Sequence, residues 1–230
     1  GSEMCIRDRY KIIRQRRKSV TIHIEDDLSI IVKAPYDISH EEIDKIVTKH
    51  EAWINKTIRD KENLAKRKDW LHNGEILYLG KKLQVCIDEE PTGKVAVSVA
   101  DGVLTIVTPN KKDHFLIKTQ LEMYTKEQAL KLFTTLTDKY CNLLGCKYSS
   151  LTLRKQKTRW GSCSSKGGLS YNIRLMSAPI EVIEYVVLHE VMHLIYFDHS
   201  KAFWNAIAKV MPDYKIRQSY LKEQGNILDI

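Results

Sequence analysis

His189-Glu190-Val191-Met192-His193, with His199 six positions further on, is the stretch on which the reading of this chain turns. Residues four apart on a helix differ by about 40° around its axis, so His189 and His193 present two imidazoles to one point. Glu190 sits beside them, near enough to serve a metal site without ligating. Two neutral nitrogens, a position left open for water and a carboxylate to take its proton are what a zinc hydrolase needs.

His199 constrains the backbone. On a continued helix it would lie about 240° away from His193, so it reaches the same point only if the helix ends first. Phe197-Asp198-His199-Ser200 reads as the turn that ends it, with Asp198 or Ser200 capping a helix that begins near Lys201. The competing reading is an apolar helix carrying satisfied histidines. Pro179 to Phe197 reads as one helix that is apolar nearly all round and therefore buried. Unpartnered polar groups on it would cost about 1–3 kcal/mol each, and a metal supplies the partner.

Downstream, Phe203, Trp204, Ile207, Ala208 and Val210 form an apolar helix face, and Met211-Pro212 ends it before a last helix from Asp213 to Leu221. Phe203 and Trp204 read as core. Asp213 has two readings, a cap on its own helix or a carboxylate orienting a ligating histidine. Tyr214 either packs or stabilises an oxyanion.

Upstream, Thr158 to Ser165 reads as a glycine- and serine-rich turn joining strands Ser150 to Lys155 and Gly168 to Arg174 into a hairpin. Leu169 to Ile173 is the candidate edge strand for an extended peptide. Arg159 and Arg174 are candidate anion ligands, the alternative being solvated surface. Asn172 contacts substrate or ends a strand. Cys163 neighbours the site or is a small buried side chain.

The chain has 230 residues and is 43% hydrophobic, enough for one large domain or two small ones. No apolar run approaches the roughly 20 residues of a membrane helix, and no signal-peptide pattern is present, so the expectation is a cytoplasmic protein without a membrane partner. Five cysteines without a C-x-x-C pair support neither a disulfide framework nor a zinc finger. Residues 1–8 read as a tag or artefactual leader. The formal net charge of +8 invites an anionic partner. Its dispersal, without aromatics interleaved for base stacking, leaves nucleic acid a weakly supported partner.

Residues 9–112 read as an N-terminal β-rich region. Val20 to Ile24 with Leu28 to Val32, Ile76 to Leu79 with Leu83 to Ile87, and Val95 to Val99 with Val103 to Val107 are three hairpins. The first and third each lead to a helix, opened by the capping box Ser39-x-x-Glu42 and by Asp113. The first helix is read as continuous through Ile58. The second runs from Phe115 to about Leu144, long enough to be a packing spine. The fold class is α+β.

The back half resembles the YgjP-like, SprT-type family of zinc metallopeptidases. The resemblance rests on Thr158-Arg159-Trp160-Gly161-Ser162-Cys163, Tyr171 to Leu175, Pro179, His189 to His193, Asp198-His199-Ser200, Phe203-Trp204 and Met211-Pro212-Asp213-Tyr214. It implies one Zn2+ ion held by His189, His193 and His199, Glu190 as general base, and a mainly helical zincin-like metallopeptidase core over 113–230. Residues Val191-Met192 and Leu194 to Phe197 vary the family pattern. The metzincin pattern differs, because Tyr196 stands where it needs glycine. The implied substrate is a protein or peptide. Some members are described as nucleotide pyrophosphatases, so hydrolysis of a nucleoside triphosphate such as UTP is the alternative. A non-catalytic nucleic-acid-associated module is the third reading.

Overall fold

Ser39 and Glu42 close the capping box: the Ser39 hydroxyl accepts from the Glu42 N–H at 3.2 Å, and the Glu42 carboxylate accepts from the Ser39 N–H at 3.0 Å. A computed structural model describes residues 10–156 and 158–225. The leader assigned to 1–8, and Cys5 within it, lie outside the described residues. The chain divides into two units, one up to Arg67 and one from Lys68 onward.

In the first unit, β1 (Tyr10–Arg14), β2 (Thr21–Ile24) and β3 (Ile30–Ala34) precede α1 (His40–Lys49) and α2 (Glu51–Lys68). The β2–β3 hairpin is antiparallel as expected, and β1 pairs with β3 in parallel. Strand β1 escaped the sequence reading because its apolar positions sit inside a basic run. Ile30, Val32 and Ala34 point one way from β3, as strand alternation requires, and form a core with Ile43, Val47 and Ile54. The helix read as continuous breaks at His50, whose ring Nδ1 lies 2.8 Å from the Ile46 carbonyl oxygen.

The second unit begins with the short α3 (Trp70–Asn73), then β4 (Glu75–Tyr78), β5 (Lys81–Glu89), β6 (Ala96–Ala100) and β7 (Val103–Thr108). The two expected hairpins join through a parallel β5–β7 pairing, giving the order β4-β5-β7-β6. Next come α4 (His114–Leu144), β8 (Ser150–Arg154), β9 (Gly161–Cys163), β10 (Gly168–Asn172), a 3-10 turn (Ile173–Ser177), α5 (Ile180–Met192), α6 (Lys201–Val210) and α7 (Tyr214–Gln224). One core joins Leu104 and Ile106 of the sheet to Phe133 of α4 and Val187 of α5. The architecture is α+β throughout this unit.

Helix α4 is the spine. Asp113 caps it by accepting from the Leu116 N–H at 2.9 Å, and Phe133 stacks on Tyr171 of β10 with ring centroids 4.9 Å apart. The β4–β5 turn braces the start of α5. The Leu79 N–H donates to the Met176 carbonyl at 2.7 Å and the Gly80 N–H to that of Ser177 at 3.3 Å.

Strands β8 and β10 do not form the expected hairpin. They run parallel, because part of the segment read as a turn is strand β9, which folds back antiparallel on β10. The tight turn is Ser164 to Gly167, with Gly167 at φ +76° donating to the Ser164 carbonyl at 2.9 Å. A strand written Gly-Ser-Cys carries little β-propensity, so its sequence looked like loop. The order β8-β10-β9 makes β10 internal. Leu169 to Ile173 is therefore not an edge; the edges are β8 and β9, and β9 is the one that lies against Glu190 of α5.

Gly80 sits at φ +77°, and a Cβ there would lie 2.7 Å from the Pro179 Cα. Gly80→Ala should lower unfolding free energy by about 1–3 kcal/mol through backbone strain, measured by urea denaturation. An unchanged urea midpoint would show that the turn does not press on the start of α5.

Candidate active site

Helix α5 is mostly apolar, and Val182, Ile183, Val186, Val187, Leu188, Val191 and Met192 are buried. His189 and His193 lie one turn apart with ring centroids separated by 4.9 Å. The helix ends at Met192, five residues before the predicted end. There the bonding tightens: the His193, Leu194 and Ile195 N–H groups donate to the carbonyls of Glu190, Val191 and Met192 at 3.2, 3.0 and 3.1 Å. No glycine or proline marks this ending. A side chain does: His193 Nδ1 lies 3.0 Å from the Tyr196 carbonyl oxygen. A carbonyl only accepts, so Nδ1 carries the proton and Nε2 keeps its lone pair.

The chain then turns back. Ser200 caps α6 by accepting from the Phe203 N–H at 3.5 Å, while Asp198 accepts from the Ser200 N–H at 3.1 Å. Both capping candidates are thus used, in series. The turn carries His199 back to α5, where its Nε2 lies 3.0 Å from that of His189 and 3.2 Å from that of His193. The expected return of His199 is realised.

Aromatic rings hold this cluster. Phe203 stacks on His193 with centroids 4.7 Å apart and meets His189 and His199 edge-on, while Trp204 stacks on His199 at 5.6 Å. Burial, reinforced by the other two histidines, drives the His189 pKa down to about 3, and burial also lowers that of His199. The two rings are held neutral near pH 7, as metal ligation requires. Among the described residues, these three histidines are the one group of potential ligands close enough to share a metal ion. Three converging imidazoles fit a divalent metal with one coordination position left open.

Glu190 is 7% exposed, and burial raises its pKa to about 7. Its carboxylate has no hydrogen-bond partner among the described residues. Gly161 makes room for it: a Cβ there would lie 2.6 Å from Glu190 Cγ and 2.7 Å from Oε1. The requirement is close approach, since Gly161 is not in the left-handed region. Cys163, two residues on, has its pKa raised by burial and then by the charge of Glu190, which makes it a neighbour of the site.

The remaining candidates separate. Asn172 is 2% exposed and clasps the loop before β9, donating to the Gln156 and Arg159 carbonyls at 2.7 and 2.8 Å. Arg174 donates to the carbonyls of Gln156 at 3.2 Å and Gly225 at 3.1 Å, with its guanidinium 5.1 Å from the Trp160 ring centre. Both tie the site's walls together. Asp213 accepts from Arg217 at 3.0 Å and makes no side-chain cap, and the buried Nδ1 of His189 has no hydrogen-bond partner among the described residues. Tyr214 stacks between Trp204 and Tyr185 at 5.5 and 6.4 Å.

Arg159 alone of the two arginines lines a cavity of about 310 Å³ that opens beside His189 and Glu190. Trp160, Gly161, Tyr185, Gln218 and Lys222 complete much of its wall. Sequence reasoning singled out none of these five for this place. Tyr185 was legible, lying one helical turn before His189; Gln218 and Lys222 share one face of α7 through their i, i+4 spacing.

The sequence model of the YgjP-like metallopeptidase domain matches residues 18–224. The chain belongs to this family. The YgjP-like domain is also similar in part to the crystal structure of the metallopeptidase zymogen of Pyrococcus abyssi abylysin. That alignment has 21% identity and a TM-score of 0.37, covering 40% of this chain and 95% of the other. No curated protein matches the chain. No described helix of this YgjP-like protein is long and apolar enough to cross a membrane.

The histidine cluster predicts one divalent ion per chain by elemental analysis. His189→Ala, His193→Ala and His199→Ala should each cut the bound metal severely, and Glu190→Gln should retain it. Full metal content in all three histidine variants would remove the site.

Proposed function

We propose that this chain is a zinc-dependent peptidase in which His189, His193 and His199 hold one Zn2+ and Glu190 is the general base. The observation that carries the reading is the convergence of three Nε2 atoms, 3.0 and 3.2 Å apart along the cluster, beside a buried and unpartnered carboxylate. Zinc bound there supplies a fixed positive charge that acidifies water and polarises an amide carbonyl. Glu190 takes the proton from the attacking water and returns it to the leaving amine. Gly161 fixes where that proton is held, and the walls of Phe203 and Trp204 keep the histidine rings from turning.

The substrate lies extended along β9. The Asn172 N–H donates to the Trp160 carbonyl and the Ser164 N–H to that of Gly168, both at 2.9 Å, on either side of β9, so by alternation Ser162 is the residue of β9 that bonds to β10. By antiparallel alternation, the backbone groups of Gly161 and Cys163 face the open edge. A peptide can pair with them as an added strand and bring its carbonyl beside Glu190.

Peptide hydrolysis is favoured over phosphoanhydride hydrolysis because Arg174 is engaged on two carbonyls and an aromatic ring. It is favoured over a nucleic-acid-associated module because closed structural zinc sites present four protein ligands, and among the described residues three converge here.

Zinc-reconstituted protein should cleave an unfolded, fluorophore-labelled casein and release no pyrophosphate from UTP above a metal-free control. Glu190→Gln should abolish cleavage with zinc retained. Gly161→Ala should lower kcat by about 100-fold, since misplacing a catalytic group by about 1 Å costs that much. Turnover of UTP without any peptide cleavage would falsify the peptidase assignment.

A further inference from the structure

We infer that the cavity beside Glu190 is a specificity pocket for a substrate carboxylate, carried either by an acidic side chain or by a free C-terminus. The inference rests on the peptidase reading. The cavity shares His189 and Glu190 with the reacting centre, so its occupant is a group close to the scissile bond. Its volume of about 310 Å³ is at the small end of the roughly 300–1,000 Å³ range of ligand pockets. That size suits one side chain or a chain end.

The lining sets the chemistry. Trp160 and Tyr185 give aromatic walls for the methylenes of a side chain, and two cations, Arg159 and Lys222, come from separate elements. Arg159 precedes β9, and Lys222 lies in the last turn of α7. Neither has an ion-pair partner among the described residues. By contrast, Arg217 of α7 pairs with Asp213 and Glu184 at 3.0 and 3.6 Å, and Lys139 of α4 with Glu184 at 2.8 Å. The single acid in the wall is Glu190, which the reaction itself uses. A cationic substrate side chain would meet like charge, and a neutral one would gain nothing from either cation. A carboxylate meets the planar fork of an arginine and the point charge of a lysine together.

Binding to the zinc-loaded Glu190→Gln protein tests this without turnover. The probes are pentapeptide amides differing only in a central glutamate, glutamine or lysine, together with the glutamine peptide bearing a free C-terminal carboxylate. One or both carboxylate peptides should bind about tenfold tighter than the glutamine amide, the order expected of two partly exposed charge pairs. Which of them gains identifies the source of the carboxylate. Arg159 and Lys222 are exposed, so Arg159→Glu with Lys222→Glu should leave zinc content and melting temperature unchanged and reverse the ranking in favour of lysine. Equal affinity for all four peptides would overturn the inference, as would a carboxylate preference that survives the double charge reversal. Casein cleavage by the wild type tests the peptidase reading separately, and neither result decides the other.

Discussion

One hydrogen bond marks the end of α5: His193 Nδ1 donates to the carbonyl of Tyr196. The same bond fixes the tautomer that leaves Nε2 free, so the stop signal and a candidate ligand are one side chain. Had α5 continued to Phe197, its next turns would have carried the backbone away and His199 with it. The early stop lets Asp198 and Ser200 arrange the return and the entry to α6. Helix α6 then presents Phe203 and Trp204 to the three imidazoles. A local backbone event thus sets both the convergence of the donors and the wall that keeps them converged.

The second constraint is steric. Glu190 is buried against β9, and any side chain at position 161 would have to displace its carboxylate. That close approach requires β9 to lie flat against α5, so the loop before it helps to set where the Glu190 carboxylate lies. Asn172 and Arg174 hold this loop through main-chain carbonyls, the second also reaching Gly225 at the end of α7. On the other side, the β4–β5 turn fixes the first turn of α5. The sheet of β4 to β7 therefore contributes to the site without supplying a residue to it. It holds the helix on which the site stands.

What could be read from the sequence follows from how local each signal is. The i, i+4 histidines, the glutamate between them and the caps at Ser39 and Asp113 were legible because helix geometry alone relates them. The hairpins β2–β3, β4–β5 and β6–β7 were legible because alternating apolar residues flank their turns. Strand β9 was not, since Gly-Ser-Cys becomes a strand only by pairing with β10. The internal position of β10 followed from that miss. The end of α5 was misplaced for a related reason: no residue type announces it, and the bond responsible needs a side chain to find a carbonyl three residues on.

Arg159 and Arg174 show the same limit at the level of chemistry. Both flank the segment that becomes β9 and β10, and by residue type alone each is an equal candidate for an anion. Their environments divide them. Arg174 meets two carbonyls and the face of Trp160, so its donors are spent within the fold. Arg159 is exposed at the cavity with its main-chain carbonyl held by Asn172, so the backbone is fixed while the guanidinium is free to meet a ligand. A structural arginine thus braces the wall from which a cavity-lining one projects. The distinction lies in which donors already have acceptors, a property of the folded chain that no spacing in the sequence encodes.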